Sequence, residues 1–277
     1  MTADPAPSDT VFEQPSEWHA FLNSVMFFTR IRVPKSTRYS DDVLNRASLW
    51  FPLVGWIVGA VVAAVAALAD WRLTPLVAAV LSTAAGLLLT GAFHEDGLAD
   101  AADGFGASRD PTRILAIMKD SRIGTYGAAA LTLALMLKVA CVAALLDDSG
   151  VAGLVRGGHP VLLLVIAHAL SRTTSIALLA TLPYVRADLD AKAKPLATRL
   201  SPARLAGVIV LGVLPIAVVG ASWRLLVVPV VAVGVHLSAR SYLLRRLGGY
   251  TGDCLGATQQ IAELAIYVTI LALRSGA

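Results

Sequence analysis

The sequence predicts an all-α fold, a polytopic membrane bundle of about seven transmembrane helices with a cytoplasmic N-terminus. Composition is the first observation: of 277 residues, 56% are hydrophobic and 15% charged, and the mean hydropathy is +0.69. Soluble domains are about 45–50% apolar and about 25% charged. The excess is aliphatic, since only 6% of the residues are aromatic. The two cysteines exclude a disulfide framework or a zinc site built on paired cysteines.

Apolar segments of about 20 residues, the length that crosses a bilayer, are the second observation. The predicted spans are residues 50–69, 73–93, 127–146, 161–182, 205–221, 225–237 and 255–273. Residues 18–28 are apolar but too short to span, which favours an interfacial helix. Residues 1–17 are polar and lack the basic start of a signal peptide. We therefore expect a flexible extension over 1–17 and a single membrane-embedded catalytic domain over 18–277.

The distribution of basic residues is the third observation. Seventeen of the 23 lysines and arginines lie before the first span or in the connections after the second, fourth and sixth, and only four lie on the other side. Because basic residues concentrate on the cytoplasmic side, those connections and the N-terminus are predicted to be cytoplasmic. The pI near 9.3 then reflects topology rather than nucleic-acid binding, since the sequence has no basic stripe with interleaved aromatics.

The connection after the second span carries the strongest candidate for chemistry. It reads GAFHEDGLADAADGFG, and Asp96, Asp100 and Asp103 share one narrow stripe if it is helical. Carboxylates on one stripe repel each other, and a divalent cation held by oxygen ligands, Mg²⁺, Ca²⁺ or Mn²⁺, removes the repulsion. Glu95 lies about 100° from the stripe, so we expect it not to be a ligand. The alternative is a solvated acidic loop.

Two further cytoplasmic connections place polar groups beside glycines. One reads IMKDSRIGTYG, where Asp120, Ser121 and Arg122 precede the third span; arginine and helix starts both bind phosphate. Its alternative is an ordinary interfacial turn with a capping hydroxyl. The other reads GGYTGDCLGA and places Asp253 on a tight turn as a second acidic element. Its alternative is a plain connection between helices.

Ionisable residues inside the spans form a third group. His168, Arg172, Lys138 and Glu263 are costly in a bilayer, so they mark functional or paired positions. His168 and Arg172 are four residues apart on one helix face, which favours a position facing a site. Two interpretations of Lys138 stay open: a functional or paired role, or a side chain that reaches the membrane surface.

Together these motifs resemble the cobalamin synthase family, the adenosylcobinamide-GDP ribazoletransferases. The matching segments, in family order, are FTRIRVP (28–34), FPLVG (51–55), FHEDGLAD (93–100) with Asp103-Gly104, IMKDSRIGT (117–125), Ser171-Arg172 and TGDCLGA (251–257). The resemblance implies a Mg²⁺-dependent late step of coenzyme B12 synthesis. Adenosylcobinamide-GDP and α-ribazole, or its 5′-phosphate, would give adenosylcobalamin, or its 5′-phosphate, plus GMP.

The resemblance also implies roles for individual residues. The expected metal ligands are Asp96, Asp100, Asp103 and Asp253. Arg122 and Arg172 would stabilise the phosphates and the leaving GMP, and His94 or one of the acids would be the general base. The residues expected to bind substrate are Arg30, Asp120, Ser121, Gly124, Thr251 and Gly252. The lipid bilayer is an expected partner, and a homo-oligomer or a complex with other cobalamin-assembly enzymes stays open.

Two other functions are alternatives. A CDP-alcohol phosphotransferase of lipid synthesis uses similar chemistry, but it would need Ala-Arg where this chain has Ala99 followed by Asp100. A transporter also places charged residues in its spans. It would more naturally show inverted repeats and helices broken at the midplane, whereas the charges of this chain gather at one face.

Overall fold

The structure, a computed structural model, is almost entirely helical. It describes residues 16–37, 40–147, 151, 153–155, 157–186, 200–219 and 222–274. Within these residues no β-strand forms, and one isolated parallel bridge joins Tyr184 to Tyr250. The predicted extension lies outside the described residues except for Ser16 and Glu17, and Glu17 already begins the first helix.

The helices with described bounds are α1 Glu17–Phe28, α2 Asp41–Ala47, α3 Phe51–Asp70, α4 Pro75–Thr90, α5 Phe93–Ala107, α6 Pro111–Met118, α7 Thr125–Asp147, α8 Leu162–Ile176, α9 Pro202–Val218, α10 Val227–Leu247 and α11 Gly252–Ala272. Short 3-10 turns at Ser48–Trp50, Ala177–Ala180 and Trp223–Leu226 extend α3, α8 and α10. Polar side chains cap several starts: Ser16 accepts from the amide of His19 at α1, and Thr74 from that of Val77 at α4.

Five helical stretches of the described chain are long and apolar enough to cross a membrane. They are Val43–Asp70, Thr125–Asp147, Leu162–Ala180, Trp223–Leu247 and Gly252–Ala272. The pair α4 and α5 adds a sixth if it counts as one bent span, and α9 is apolar but has only 17 residues. Each predicted span thus lies on a helix, and this is a multi-pass membrane protein. The count of seven and the side of the N-terminus stay predictions.

A sharp bend separates α4 from α5. The two helix axes meet at 88°, and the backbone turns through Gly91 (φ +68°) and Ala92 (φ +57°). Glycine adopts this left-handed conformation freely, whereas at Ala92 it costs roughly 1–2 kcal/mol. The predicted second span, which reached Phe93, therefore ends at Thr90, and the acidic connection that follows is a helix.

The interior of the bundle is built around α8. Every residue of α8 from Leu163 to Ile176 except Val165 is buried, and this helix packs against α3, α9 and α11. α5 packs against α11 and α7. Its contact with α11 is a backbone contact, because a Cβ added at Gly97 would lie 3.1 Å from Cα of Asp253 and 3.2 Å from Cα of Gly256. Helix α5 therefore lies directly on the start of α11.

Candidate functional site

The four predicted metal ligands lie together where α5 meets the start of α11. We call Asp96, Asp100, Asp103 and Asp253 the acidic cluster. Because residues 93–107 are helical, the three aspartates of α5 do share one face; Asp96 is exposed, Asp100 half-buried and Asp103 8% exposed. The carboxylates of Asp96, Asp253 and Asp103 all repel that of Asp100, so the cluster has unneutralised negative charge.

Arg186 is a cation beside this cluster, and no motif of the sequence pointed to it. Its Nη2 donates to Oδ2 of Asp253 at 2.9 Å, and its charge also attracts Asp100. The hydroxyl of Thr251 donates to the same Oδ2 at 3.4 Å and accepts from the amide of Cys254 at 3.3 Å, which caps α11. Thr251, a predicted substrate-binding residue, is fully buried, while Gly252 is half-buried with open space where a Cβ would be.

Asp103 differs from the other members because both of its oxygens accept backbone hydrogen bonds. The amides of Gly124 and Gly127, at the start of α7, donate to its Oδ2 and Oδ1 at 2.6 and 2.8 Å. Such bonds from a helix start to a carboxylate are charge-assisted. Asp103 therefore fixes α5 to α7, and the amide of Gly124, which was expected to face substrate, is bonded to Asp103.

The predicted phosphate-binding connection lies on the surface. Ser121 and Arg122 are exposed, and Nη2 of Arg122 is 2.6 Å from Oδ2 of Asp120. The hydrogen bonds from Arg122 lower the pKa of Asp120 to about 2 and raise the pKa of the Arg122 guanidinium. Before the start of α5, the amide of Arg30 donates to the carbonyl of Leu89 at 2.7 Å, and its guanidinium packs on Gly91 at the bend.

A second group of charges lies inside the bundle. We call Glu95, Lys138, Arg172 and Glu263 the buried charge cluster. Nζ of Lys138 is 3.3 Å from Oε1 of Glu95 and 3.2 Å from Oε1 of Glu263. Gln260 donates to the same oxygen of Glu95 at 2.9 Å, and Gln259 donates to Oε2 of Glu263 at 2.8 Å. Of the two interpretations of Lys138, the paired one is correct.

The predicted catalytic residues His94 and Arg172 belong to this interior. Both are only 2% exposed. The ring of His94 stacks on those of Phe28 and Phe51, and Nη1 of Arg172 donates to Nδ1 of His168 at 3.1 Å, which confirms the pair predicted on one helix face. His94 and Arg172 line one small polar cavity of about 20 Å³. His94 is about 200° around the helix from Asp96, so it faces away from the acidic cluster.

An apolar groove of about 700 Å³ lies between α5, α10 and α11. Leu98, Phe105, Tyr242 and Ile261 are among the residues that line it. On α5 the groove residues recur every three or four positions, on the face turned away from Asp96, Asp100 and Asp103. Three separate environments therefore surround α5: the acidic cluster, the buried charge cluster and this groove.

The acidic cluster suits a hard cation in ligand type and charge. In the described part of the chain, however, no three His, Cys, Asp or Glu side chains come close enough to hold a metal ion among themselves. Mg²⁺ is usually held by one or two carboxylates together with phosphates of the substrate, rather than by an all-protein cage. The residues present therefore fit a Mg²⁺ ion whose coordination a phosphorylated ligand completes.

The described fold is that of a multi-pass helical membrane protein with a cluster of aspartates where α5 meets α11. Residues 20–271 match the family model described as Cobalamin-5-phosphate synthase. The chain belongs to this family, and it is a transferase of cobalamin biosynthesis.

Three relatives named adenosylcobinamide-GDP ribazoletransferase match over nearly their whole length. The protein of Ralstonia pickettii (strain 12J) is 47% identical over 93% of this chain and 97% of its own. That of Shewanella amazonensis is 45% identical over 94% and 97%, and that of Vibrio cholerae strain O395 is 44% identical over 91% and 93%. No solved structure matches the chain.

Proposed function

We propose that the acidic cluster is where this chain joins adenosylcobinamide-GDP to α-ribazole, or to its 5′-phosphate, with release of GMP. The supporting observation is the meeting of Asp96, Asp100 and Asp253 at the contact between α5 and α11, with Arg186 beside them. Unneutralised carboxylates beside an arginine suit a reaction in which a diphosphate and its cation are bound together.

The reaction exchanges one phosphorus–oxygen bond for another. The ribazole 3′-hydroxyl oxygen forms a bond to the phosphorus on the cobinamide side, the bond from that phosphorus to the bridging oxygen breaks, and GMP leaves with that oxygen. A bound Mg²⁺ would neutralise charge on the phosphoryl oxygens. Asp96 and Asp100 would hold this ion, with Asp253 as a further ligand, whereas the bonds of Asp103 to α7 support a role in holding the site together.

The remaining roles divide by exposure. We assign contact with the diphosphate to Arg186, which lies beside the cluster, and to the exposed Arg122, and exchange of Arg186 from Asp253 to a phosphate would free that carboxylate. Arg172, at 2% exposure and hydrogen-bonded to His168, supports a positioning role instead. The hydroxyl proton would pass to one of the carboxylates of the cluster, because His94 faces the interior cavity.

The activity is tested with purified protein in detergent, adenosylcobinamide-GDP, α-ribazole and Mg²⁺. We expect one GMP released per corrinoid product, and we expect chelation of Mg²⁺ to stop the reaction. Omission of α-ribazole is the control, since a transferase then releases no GMP. GMP formed equally fast without α-ribazole would indicate a hydrolase and contradict the proposal.

We further propose that the acidic cluster faces the cytoplasm, at the inner membrane, because the basic residues concentrate on that side. Cysteines at Arg109, after α5, and at Arg72, before α4, test this in intact cells with a membrane-impermeant thiol reagent. We expect Arg109→Cys to react only after the cells are opened and Arg72→Cys to react from outside. Labelling of both from one side would show that α4 and α5 form a re-entrant loop.

A further inference from the structure

The buried charge cluster joins four different helices through charged side chains. Glu95 comes from α5, Lys138 from α7, Arg172 from α8 and Glu263 from α11. All four are at least nine-tenths buried, and the proposed reaction requires none of them to touch substrate. The cluster therefore requires a role other than contact with substrate.

The cluster is electrically balanced. Two carboxylates face two cations: Lys138 lies between Glu95 and Glu263, and both carboxylates also attract Arg172. His168 and Tyr267, beside Glu263, are the other titratable groups that face it from α8 and α11, and His94 faces it from α5. Removal of one charge from such a set leaves an uncompensated ion in the interior, which is far more damaging than removal of an opposite pair.

Helix α5 is held to α7 through Asp103 and to α11 by the backbone contact at Gly97, and Glu95 acts on its first turn. The helix starts at a bend where Ala92 has a left-handed backbone, and no side chain caps its start. Glu95 is in the first turn of the helix and is the residue directly before Asp96. The contacts of Glu95 with Lys138 and Gln260 therefore hold the helical turn that carries Asp96.

We propose that Glu95 is a positioning residue: the balance of charge between Glu95 and its partners holds α5 so that Asp96 and Asp100 face Asp253. The proposal rests on the proposed function where activity is the readout, but the position of α5 is measured independently. Cys254 supplies that measurement. It is 1% exposed at the start of α11 and, with Leu98 and Ala101 of α5, lines the same groove, so a shift of α5 would open its approach to a bulky reagent.

The experiment compares variants that differ in net charge, all in a Cys141→Ala background. Glu95→Gln leaves the cluster at plus one and Lys138→Gln at minus one. The double variant Glu95→Gln/Lys138→Gln is neutral, whereas Glu95→Gln/Glu263→Gln has the same number of substitutions and a charge of plus two. Each is tested for maleimide labelling of Cys254, for GMP release, and for the Mg²⁺ concentration that gives half-maximal release.

We expect Cys254 to be protected in the parent and in the neutral double variant, and labelled at least about tenfold faster in both single variants and in the charged double. The Mg²⁺ concentration that gives half-maximal GMP release should rise in the single variants and return to the parent value in the neutral double variant. A loss of folded protein alone would lower the rate of GMP release but would leave this Mg²⁺ concentration unchanged. If the single variants fail to fold, recovery of folded protein in the neutral double but not in the charged double supports the same conclusion.

Equal labelling of the neutral and charged double variants would overturn the proposal, as would protection of Cys254 in both single variants. The two proposals fail in different ways. A parent protein that releases no GMP contradicts the proposed function, whereas the labelling series still decides whether charge balance positions α5.

Discussion

The two charge clusters contact different faces of the same short helix, α5, and they differ in how their charge is compensated. The acidic cluster concentrates four carboxylates near one arginine, and Asp96 is open to water. The buried charge cluster sets two carboxylates against two cations and is closed to water. Unbalanced charge can persist only where solvent or a ligand compensates it, whereas in the interior each ion requires a partner.

The comparison separates two neighbouring residues of the same chemical type. Glu95 and Asp96 are adjacent in sequence, but a helix turns about 100° per residue. That rotation directs Glu95 to Lys138 and Asp96 to the open side. We therefore propose that the register of a carboxylate on α5 decides whether it binds a ligand or fixes the helix.

The largest effect on catalysis is expected from Asp100→Asn. Asparagine keeps the size of the side chain but removes a charge from the acidic cluster, so the rate of GMP release should fall by roughly 10²–10³-fold, with partial recovery at raised Mg²⁺. Asp110→Asn is the matched control, because Asp110 is exposed and caps α6 through the amide of Arg113 at 3.1 Å. Equal losses in the two variants would show that Asp100 has no special part in the reaction.

A smaller effect is expected where α5 rests on α11. In Gly97→Ala the added Cβ would lie 3.0 Å from the carbonyl oxygen of Asp253 and 3.1 Å from its Cα. Because backbone cannot swing aside, the free energy of unfolding should fall by about 1–3 kcal/mol, measured as a lower thermal midpoint in detergent. Gly234→Ala on α10 adds the same methyl group where nothing lies within 4 Å, and it should stabilise the protein by roughly 0.5–1 kcal/mol.

The smallest effect is expected at the exposed pair Asp120–Arg122. Arg122 lowers the pKa of Asp120 to about 2, so the stabilisation from this pair is complete above the ordinary aspartate pKa of about 3.9 and is lost as pH falls through about 2. Arg122→Gln should return the pKa of Asp120 towards its ordinary value, measured by carbon NMR of the carboxyl. An unchanged titration would contradict the pairing.

Periodicity predicted the parts of the site that lie on one helix. The stripe of Asp96, Asp100 and Asp103 depends only on helical geometry, as does the pair His168–Arg172, and both are present in the structure. Hydropathy predicts a connection in the acid-rich segment, because its charges lower the local hydropathy. The 88° bend that turns it into a separate helix arises at Gly91 and Ala92.

The contacts between helices could not be predicted from the sequence. Arg186 contacts Asp253, which lies 67 residues further along the chain, and Lys138 contacts Gln260, which lies 122 residues further. A hydropathy pattern does not show which helices are neighbours. One signal was available: an ion within a span requires an opposite partner, and Glu263 and Glu95 were carboxylates in or beside spans. The position of Glu95 off the stripe predicts that it is not a ligand, and that same offset directs it to Lys138.

The backbone contact between Gly97 and Gly256 has a mechanical consequence. With no side chain between them that could rotate away, α5 and α11 can shift against each other only by losing this contact. The spacing between the aspartates of α5 and Asp253 is therefore set when the chain folds. A ligand that bound at this contact would therefore lose no binding free energy in bringing the carboxylates together.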